Sequence, residues 1–358
     1  MVMIGEGKAT YQGETLDGAE ALKRAGLKPV VLSSKEGLIL LSGTTSVTAF
    51  ASLAIYDAQT LSLTADIAGS FTLEVLKGTL MAMDERLMAV RPHPDQINTA
   101  ANIRAILKDS PMLERYRGHR VQDALSIRCM PQLHGPVKKA VKDAQATLAI
   151  ELNSSVDNPL IFDEEDGGAV ALMGCNADGT YAGMASDSLC IAITDLCKMS
   201  NSRIDRLLNS LVSELPAFLN KNADFNNGLM MIQYASAGLQ GELRILAHPA
   251  VVDNLTTCAN QEDYVNMGYN AVKKAYDSMH LAKYILAAEL ICDGQALDCY
   301  EDKRCAKGTQ AIYDLLRSKV PEMDNDMPLT PYLEAVAQQI IDRAYIRTVE
   351  ASVGALKF

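Results

Sequence analysis

The sequence has no tryptophan and only six phenylalanines in 358 residues, whereas alanine, leucine and methionine are plentiful. Those residues favour helix over sheet. No two of the eight cysteines stand as C-x-x-C, and no histidine follows one at zinc-finger spacing. That excludes a zinc finger. Most of the cysteines lie in apolar helical text and read as reduced, buried thiols of a cytoplasmic protein. A basic stripe is also missing: the net charge is −11 and the sequence pI about 5.0. Nucleic acid and anionic membrane are therefore not expected partners, since both need a positive surface. No secretory leader is legible, because Met1-Val2-Met3-Ile4 runs straight into Gly5-Glu6-Gly7-Lys8. The stretch 37–73 carries only Asp57 and Asp66 as charges. Its many serines and threonines, with those two acids, fit a helix buried in a bundle better than a membrane span. There is no Gly/Ser linker, internal repeat or low-complexity run. Gly5-Glu6-Gly7 follows no buried strand and is not a phosphate loop.

What is present organises as a small mixed α/β cap over residues 1–34 and one continuous helical domain over 35–358. The fold class expected is all-α, a long-helix bundle. In the cap, Glu14 to Ala25 reads as a short helix stopped by Gly26, followed by extended Lys28-Pro29-Val30-Val31-Leu32. Leu189, Ile193, Leu196, Ser200, Ile204, Leu207, Leu211 and Leu215 recur at spacings of three and four. They predict one amphipathic helix from about Tyr181 to Glu214, ended by Pro216. Val272, Ala275, Met279, Ala282, Leu286 and Leu290 mark a second. Gly135-Pro136 is expected to open a third, and Thr330-Pro331 a fourth that carries Leu333, Val336, Ile340 and Ala344. Helices this long and apolar need several neighbours to cover them.

The chemistry-bearing text lies in residues 121–162 and 259–263. Arg128 offers a planar guanidinium, which holds a carboxylate through two parallel charge-assisted hydrogen bonds. Gln122, six residues earlier, offers one donor and one acceptor. Glu262, preceded by Asn260 and Gln261, is a carboxylate suited to acid–base work at an amine. Asp157-Asn158-Pro159 reads as a polar turn. Taken singly, each has an ordinary structural reading: an ion pair, a helix-start acid, a turn. The five histidines, His93, His119, His134, His248 and His280, are not spaced as ligands, so structural roles and no metal site are expected.

Taken in order, these pieces carry more. Lys35-Glu36-Gly37-Leu38, Gly43-Thr44, Gln122-Asp123, Ser126-Ile127-Arg128-Cys129-Met130-Pro131-Gln132, Asp157-Asn158-Pro159-Leu160, Leu215-Pro216-Ala217-Phe218-Leu219 and Ala259-Asn260-Gln261-Glu262-Asp263 follow one another without interruption. This order closely resembles the aromatic amino acid ammonia-lyases, and the Gln-Glu-Asp text is most similar to the histidine ammonia-lyase branch. The resemblance implies a nearly all-α bundle of the ammonia-lyase/fumarase-like type that assembles as a homotetramer, with each site drawn from three subunits. It implies non-oxidative loss of ammonia from an α-amino acid. It also implies a methylideneimidazolone electrophile, made from an internal Ala-Ser-Gly, which eases removal of a weakly acidic hydrogen and a poor leaving group. By the same resemblance Arg128 holds the substrate carboxylate, Gln122 bonds substrate or cofactor, Glu262 lies near the amine or the substrate ring, and Ser42, Leu125, Asn176 and Ala177 line the cofactor.

The chain also departs from that pattern. It contains no Ala-Ser-Gly. Ser42 stands where the family has asparagine, Leu125 where it has tyrosine, and Ala177-Asp178 where it has Phe-His. Each change removes bulk or polar reach beside the cofactor, and a lost oriented donor in an active site costs roughly 2.7–4 kcal/mol of transition-state stabilisation. The expectation is a diverged C-terminal two-thirds of a lyase, one subunit of a split hetero-oligomer. No cofactor is encoded here; a methylideneimidazolone is present only if an N-terminal ammonia-lyase-like partner chain makes it. Self-association to a tetramer-like core and a small-molecule carboxylate complete the expected partners. Two other readings stand beside it: a cofactor-independent lyase or isomerase of the same fold, and a non-catalytic assembly or binding subunit.

Overall fold

The structure is a computed structural model that describes residues 1–222 and 225–358. It is mostly helical, with two small hairpins and no larger sheet among the described residues. The all-α class is what the composition and periodicity indicate. The chain divides into two compact units, residues 1–45 with 155–178, and residues 46–154 with 179–358.

The first unit is discontinuous in sequence. Strands β1 (Lys8–Tyr11) and β2 (Glu14–Asp17) pair antiparallel with Lys8 opposite Asp17. The Gln12-Gly13 link has positive φ at both residues, as a two-residue hairpin requires. Helix α1 then covers only Gly18–Arg24. The helix expected from Glu14 is thus corrected: the tight turn returns Glu14–Asp17 to a strand partner before a helix begins. The 155–178 segment adds a second antiparallel hairpin, β3 (Leu160–Asp163) with β4 (Ala169–Leu172). This unit therefore extends past residue 34 and takes in a segment far along the chain. Two motifs distant in sequence meet within it. Lys35 Nζ lies 2.5 Å from Asp157 Oδ2 and also donates to the Pro159 carbonyl. Gly43, at φ +84, packs so tightly on the Val156 carbonyl that any side chain there would collide with it.

The second unit is the helical bundle. Its long members are α2 (Thr45–Val75, whose first residue belongs to the other unit), α3 (Pro94–Ile106), α4 (Met130–Glu151), α5 (Thr180–Leu208), α6 (Met230–Leu246) and α7 (Gly268–Asp298). Three shorter helices close it: α8 (Lys307–Arg317), α9 (Thr330–Ile341) and α10 (Ala344–Val353). Residues 60–75 of α2 and 285–298 of α7 are buried on every face, as central helices must be. Gly69 is required where α2 passes Met130 and Arg203, because a methyl group there would overlap the Met130 sulfur. No described helix is long and apolar enough to cross a membrane.

Three helix boundaries differ from expectation. Helix α5 stops at Leu208, because Asn209 leaves helical geometry and its side chain caps Leu211 N at 3.1 Å, starting a separate turn at Ser210–Ser213. Helix α4 begins at Met130 with Pro131 in its first turn, so Pro136 lies inside the helix rather than opening it. Arg343, at φ 58, breaks the C-terminal helix into α9 and α10, which places Ala344 in the second piece.

Candidate functional site

Two buried polar clusters hold the bundle, and both were read in sequence as ordinary helix text. Asp66 of α2 accepts from His134 Nδ1 at 2.8 Å, Lys138 Nζ at 2.5 Å and Asn102 Nδ2 at 2.8 Å, with Asp66, His134 and Lys138 fully enclosed. Burial alone raises the Asp66 carboxyl, but the Lys138 charge and the His134 bond outweigh it and hold it below the usual range. Burial drives His134 the other way, so its imidazole is the neutral form. This is a structural histidine, as its isolation in sequence indicated. In the second cluster Arg203 of α5 grips Glu289 of α7 through Nε and Nη2, while Thr72 and Ser200 hydroxyls reach the same carboxylate. Thr72 also lies 2.7 Å from Asp293. Burial, then the Glu289 charge, pushes Asp293 well above the ordinary aspartate range, so it keeps its proton.

The third nitrogen of Arg203, Nη1, donates to the Ser126 carbonyl at 3.2 Å and so fastens the segment that carries the motif. That segment is a single helical turn, Leu125–Arg128, anchored by buried Ile127. Buried Asp123 precedes it and accepts from Thr79 N at 2.8 Å. Burial raises the Asp123 carboxyl, with Arg120, Arg206 and Arg128 acting against the rise. Arg128 itself is half-buried; its Nε is enclosed without a hydrogen-bond partner, and among the described residues it enters no ion pair. An enclosed N–H with no acceptor costs free energy and is normally paired, so it marks a place for a ligand oxygen. Gln122 is exposed on the same segment.

Arg206 was not singled out from the sequence. It stands one helical turn after Arg203, and burial together with nearby Arg120 lowers its pKa while Asp123 opposes the drop. The only available signal was the three-residue spacing from Arg203, which reads equally as a solvated helix face. A cavity of about 770 Å³ adjoins this region, lined in part by Lys77, Thr79, Tyr116, Arg117 and Arg120. Beside it Glu214 accepts from Lys77 at 2.9 Å, His119 at 3.0 Å and Arg120 at 3.2 Å. The Lys77 bond, then the His119 bond, brings the Glu214 carboxyl down to about 2. A larger cavity of about 910 Å³ lies between α4, α5 and α6 and includes Cys129, Gln132 and Gln240 in its wall.

Glu262 lies in an exposed loop after α6. Its Oε2 accepts from Thr257 Oγ1 at 2.6 Å, and the two residues form an isolated antiparallel bridge. The Thr257 bond, then one from Cys258, lowers the Glu262 carboxyl below its usual value, so it is ionised at neutral pH. Within the described residues no hydrogen bond or ion pair joins Glu262 to Gln122 or Arg128. Gln122 and Arg128 thus share one segment, and Glu262 lies on its own loop.

Of the four residues expected at an imidazolone, Leu125 is 62% exposed and, like Ala177, has no polar side-chain atom. Asn176 spends an amide hydrogen on the Ser155 carbonyl at 3.3 Å. Ser42 has a hydroxyl and Asn176 also an amide oxygen. Among the described residues no cluster of three or more His, Cys, Asp or Glu is arranged to hold a metal ion.

Comparison with known proteins agrees with this geometry. The aromatic amino acid lyase family profile matches residues 1–318. Histidine ammonia-lyase of Alkaliphilus oremlandii (strain OhILAs) is 41% identical over 353 residues, covering 99% of this chain and 69% of that relative. Among solved structures, histidine ammonia-lyase from Trypanosoma cruzi superposes with a TM-score of 0.89 at 32% identity, over 98% of this chain and 67% of that one. Tyrosine aminomutase from Streptomyces globisporus gives 0.91 at 28% identity, over 99% and 71%.

Proposed function

Because the chain belongs to the aromatic amino acid lyase family, we propose that it provides the carboxylate-holding part of an enzyme that eliminates ammonia from an α-amino acid or acts on a related carboxylate. The observation that carries this reading is Arg128, half-enclosed, with an unpaired Nε and no acid claiming its charge. A substrate carboxylate would complete its hydrogen bonding through both sides of the guanidinium. Gln122 adds an amide on the same segment. Glu262, ionised, serves at the amine end, taking a proton from the substrate ammonium and returning it as nitrogen departs. Its distance from Arg128 in bonding terms suits a site assembled from several protomers. An exposed apolar face supports such a tetramer-like core: Tyr181, Met184 and Ile191 on α5, and Met231, Tyr234 and Ile245 on α6.

No Ala-Ser-Gly occurs in the 358 residues. The reading therefore assigns the methylideneimidazolone to residues outside these 358, on a separate N-terminal lyase-like chain. Purification of the native protein with its companions tests this. The expected result is a second polypeptide whose Ala-Ser-Gly has lost two waters by intact mass, together with release of ammonia and an absorbing unsaturated acid. A companion with an unmodified triad, or none at all, removes the split-lyase reading.

A second reading draws on the same apolar substitutions. With Leu125 and Ala177 in place of polar or aromatic groups, the fold is suited to elimination or isomerisation of a carboxylate without an electrophile. Turnover by preparations free of any imidazolone would establish it. A third possibility, a binding subunit without catalysis, is ruled out if Arg128→Ala impairs a reaction.

A further inference from the structure

The loop that carries Glu262 is held in a conformation its residues do not choose by themselves. Cys258, Ala259 and Asn260 follow one another at φ 50, 50 and 68. Asparagine tolerates that region; alanine and cysteine do so only at a cost in backbone energy. Three left-handed residues in a row wind the chain back on itself, and the Thr257–Glu262 bridge closes the winding, with Thr257 N donating to the Glu262 carbonyl at 2.8 Å. The same two residues are joined by side chains, Thr257 Oγ1 to Glu262 Oε2 at 2.6 Å. Strain of this kind persists where surrounding contacts fix a functional group. Glu262 as a whole is exposed.

We propose that Thr257 is the positioning residue for Glu262: its backbone bridge sets the direction of the carboxylate, and its hydroxyl holds Oε2 while the carboxylate exchanges a proton with the substrate amine. This rests on the acid–base role given to Glu262 above. The side chains that bond the Glu262 carboxylate are Thr257 and then Cys258, both neutral donors. Loss of the Thr257 donor therefore weakens the ionised form directly. One proton moves in the step, from the ammonium nitrogen to the Glu262 carboxylate, and it returns by the same path.

Three variants of the full chain decide it: Thr257→Val, which keeps the shape and removes the hydroxyl, Thr257→Ser, which keeps the hydroxyl, and Glu262→Gln. The Glu262 carboxyl is followed by carbon-13 NMR titration, with E262Q identifying its resonance. The pH profile of kcat/KM is recorded on the purified active assembly. In T257V the Glu262 titration is expected to move up towards ordinary glutamate. The acidic limb of kcat/KM moves up with it, and the rate on that limb falls by the factor that the titration shift sets. T257S restores both, which separates the hydroxyl's role from simple loss of the fold. A Glu262 titration identical in T257V and wild type overturns the inference. A shifted titration combined with full activity of E262Q instead overturns the acid–base role of Glu262, and the two failures are thereby told apart.

Discussion

Arg203 and Arg128 sit at the two ends of one contact. Arg203, fully enclosed between α5 and α7, has all three nitrogens engaged, two on Glu289 and one on the Ser126 carbonyl. Arg128, two residues beyond Ser126, is half-buried with an enclosed nitrogen that bonds to nothing among the described residues. The interior spends its charge on architecture, and the segment it supports keeps charge in reserve. A guanidinium consumed by a buried carboxylate has no remaining capacity for a ligand. One held in place by its backbone, with its nitrogens open, does. The rigid pair thus gives the open one its fixed orientation, since ordering the turn in advance lowers the cost of binding.

That contrast makes distinct outcomes measurable. Removing the interior guanidinium by Arg203→Met is expected to have the largest effect on folding. It leaves the buried Glu289 carboxylate without its guanidinium partner, a loss of about 3–5 kcal/mol, whereas converting both residues to apolar ones recovers most of it. Urea denaturation of the single and double variants reads this directly. Arg128→Ala is expected to do the reverse. Its urea midpoint stays close to wild type, while kcat/KM for a carboxylate substrate falls about 10- to 100-fold, the equivalent of a charged hydrogen bond worth about 1.5–3 kcal/mol. If Arg128→Ala unfolds the chain instead, the distinction between the two arginines fails.

The smallest effect concerns Asp293 beside the Arg203–Glu289 pair. Its folded pKa lies above its unfolded value, so the folded state holds the extra proton. That contribution to stability is present in full below the unfolded pKa and is lost as pH rises from there through the folded pKa. Asp293→Asn removes the titration while retaining a polar group for Thr72. The variant is expected to be more stable than wild type near pH 8, and the gap narrows as the solution is acidified. Thermal unfolding at a series of pH values provides the curve.

The long helices were legible because their apolar residues recur with helical period, as at Leu189, Ile193 and Leu196 of α5 or Val272, Ala275 and Met279 of α7. The β3–β4 hairpin was not, because neither strand has a buried face to impose an alternating pattern. The interior ion pair was invisible for a different reason. Arg203 and Glu289 are 86 residues apart, and each alone looks like a solvated helix charge. At the candidate site, Gln122, Arg128 and Glu262 could be named from their order along the chain. Thr257 and Arg206 could not, since a threonine five residues before a glutamate and an arginine one turn after another arginine are common text. Only a bridge closed by left-handed residues and a shared buried acid give those two their meaning.

The Lys35–Asp157 contact has a further consequence for how the polypeptide matures. The two segments it joins, 1–45 and 155–178, form one compact unit, yet all of residues 46–154 are synthesised between them. While the ribosome is translating that interval, the first hairpin and α1 have no second hairpin to complete their unit. Closure waits for the later segment to emerge, and it must gather in a loop of more than a hundred residues. The entropic penalty for such a loop grows only slowly with its length, so the delay is one of timing more than of equilibrium.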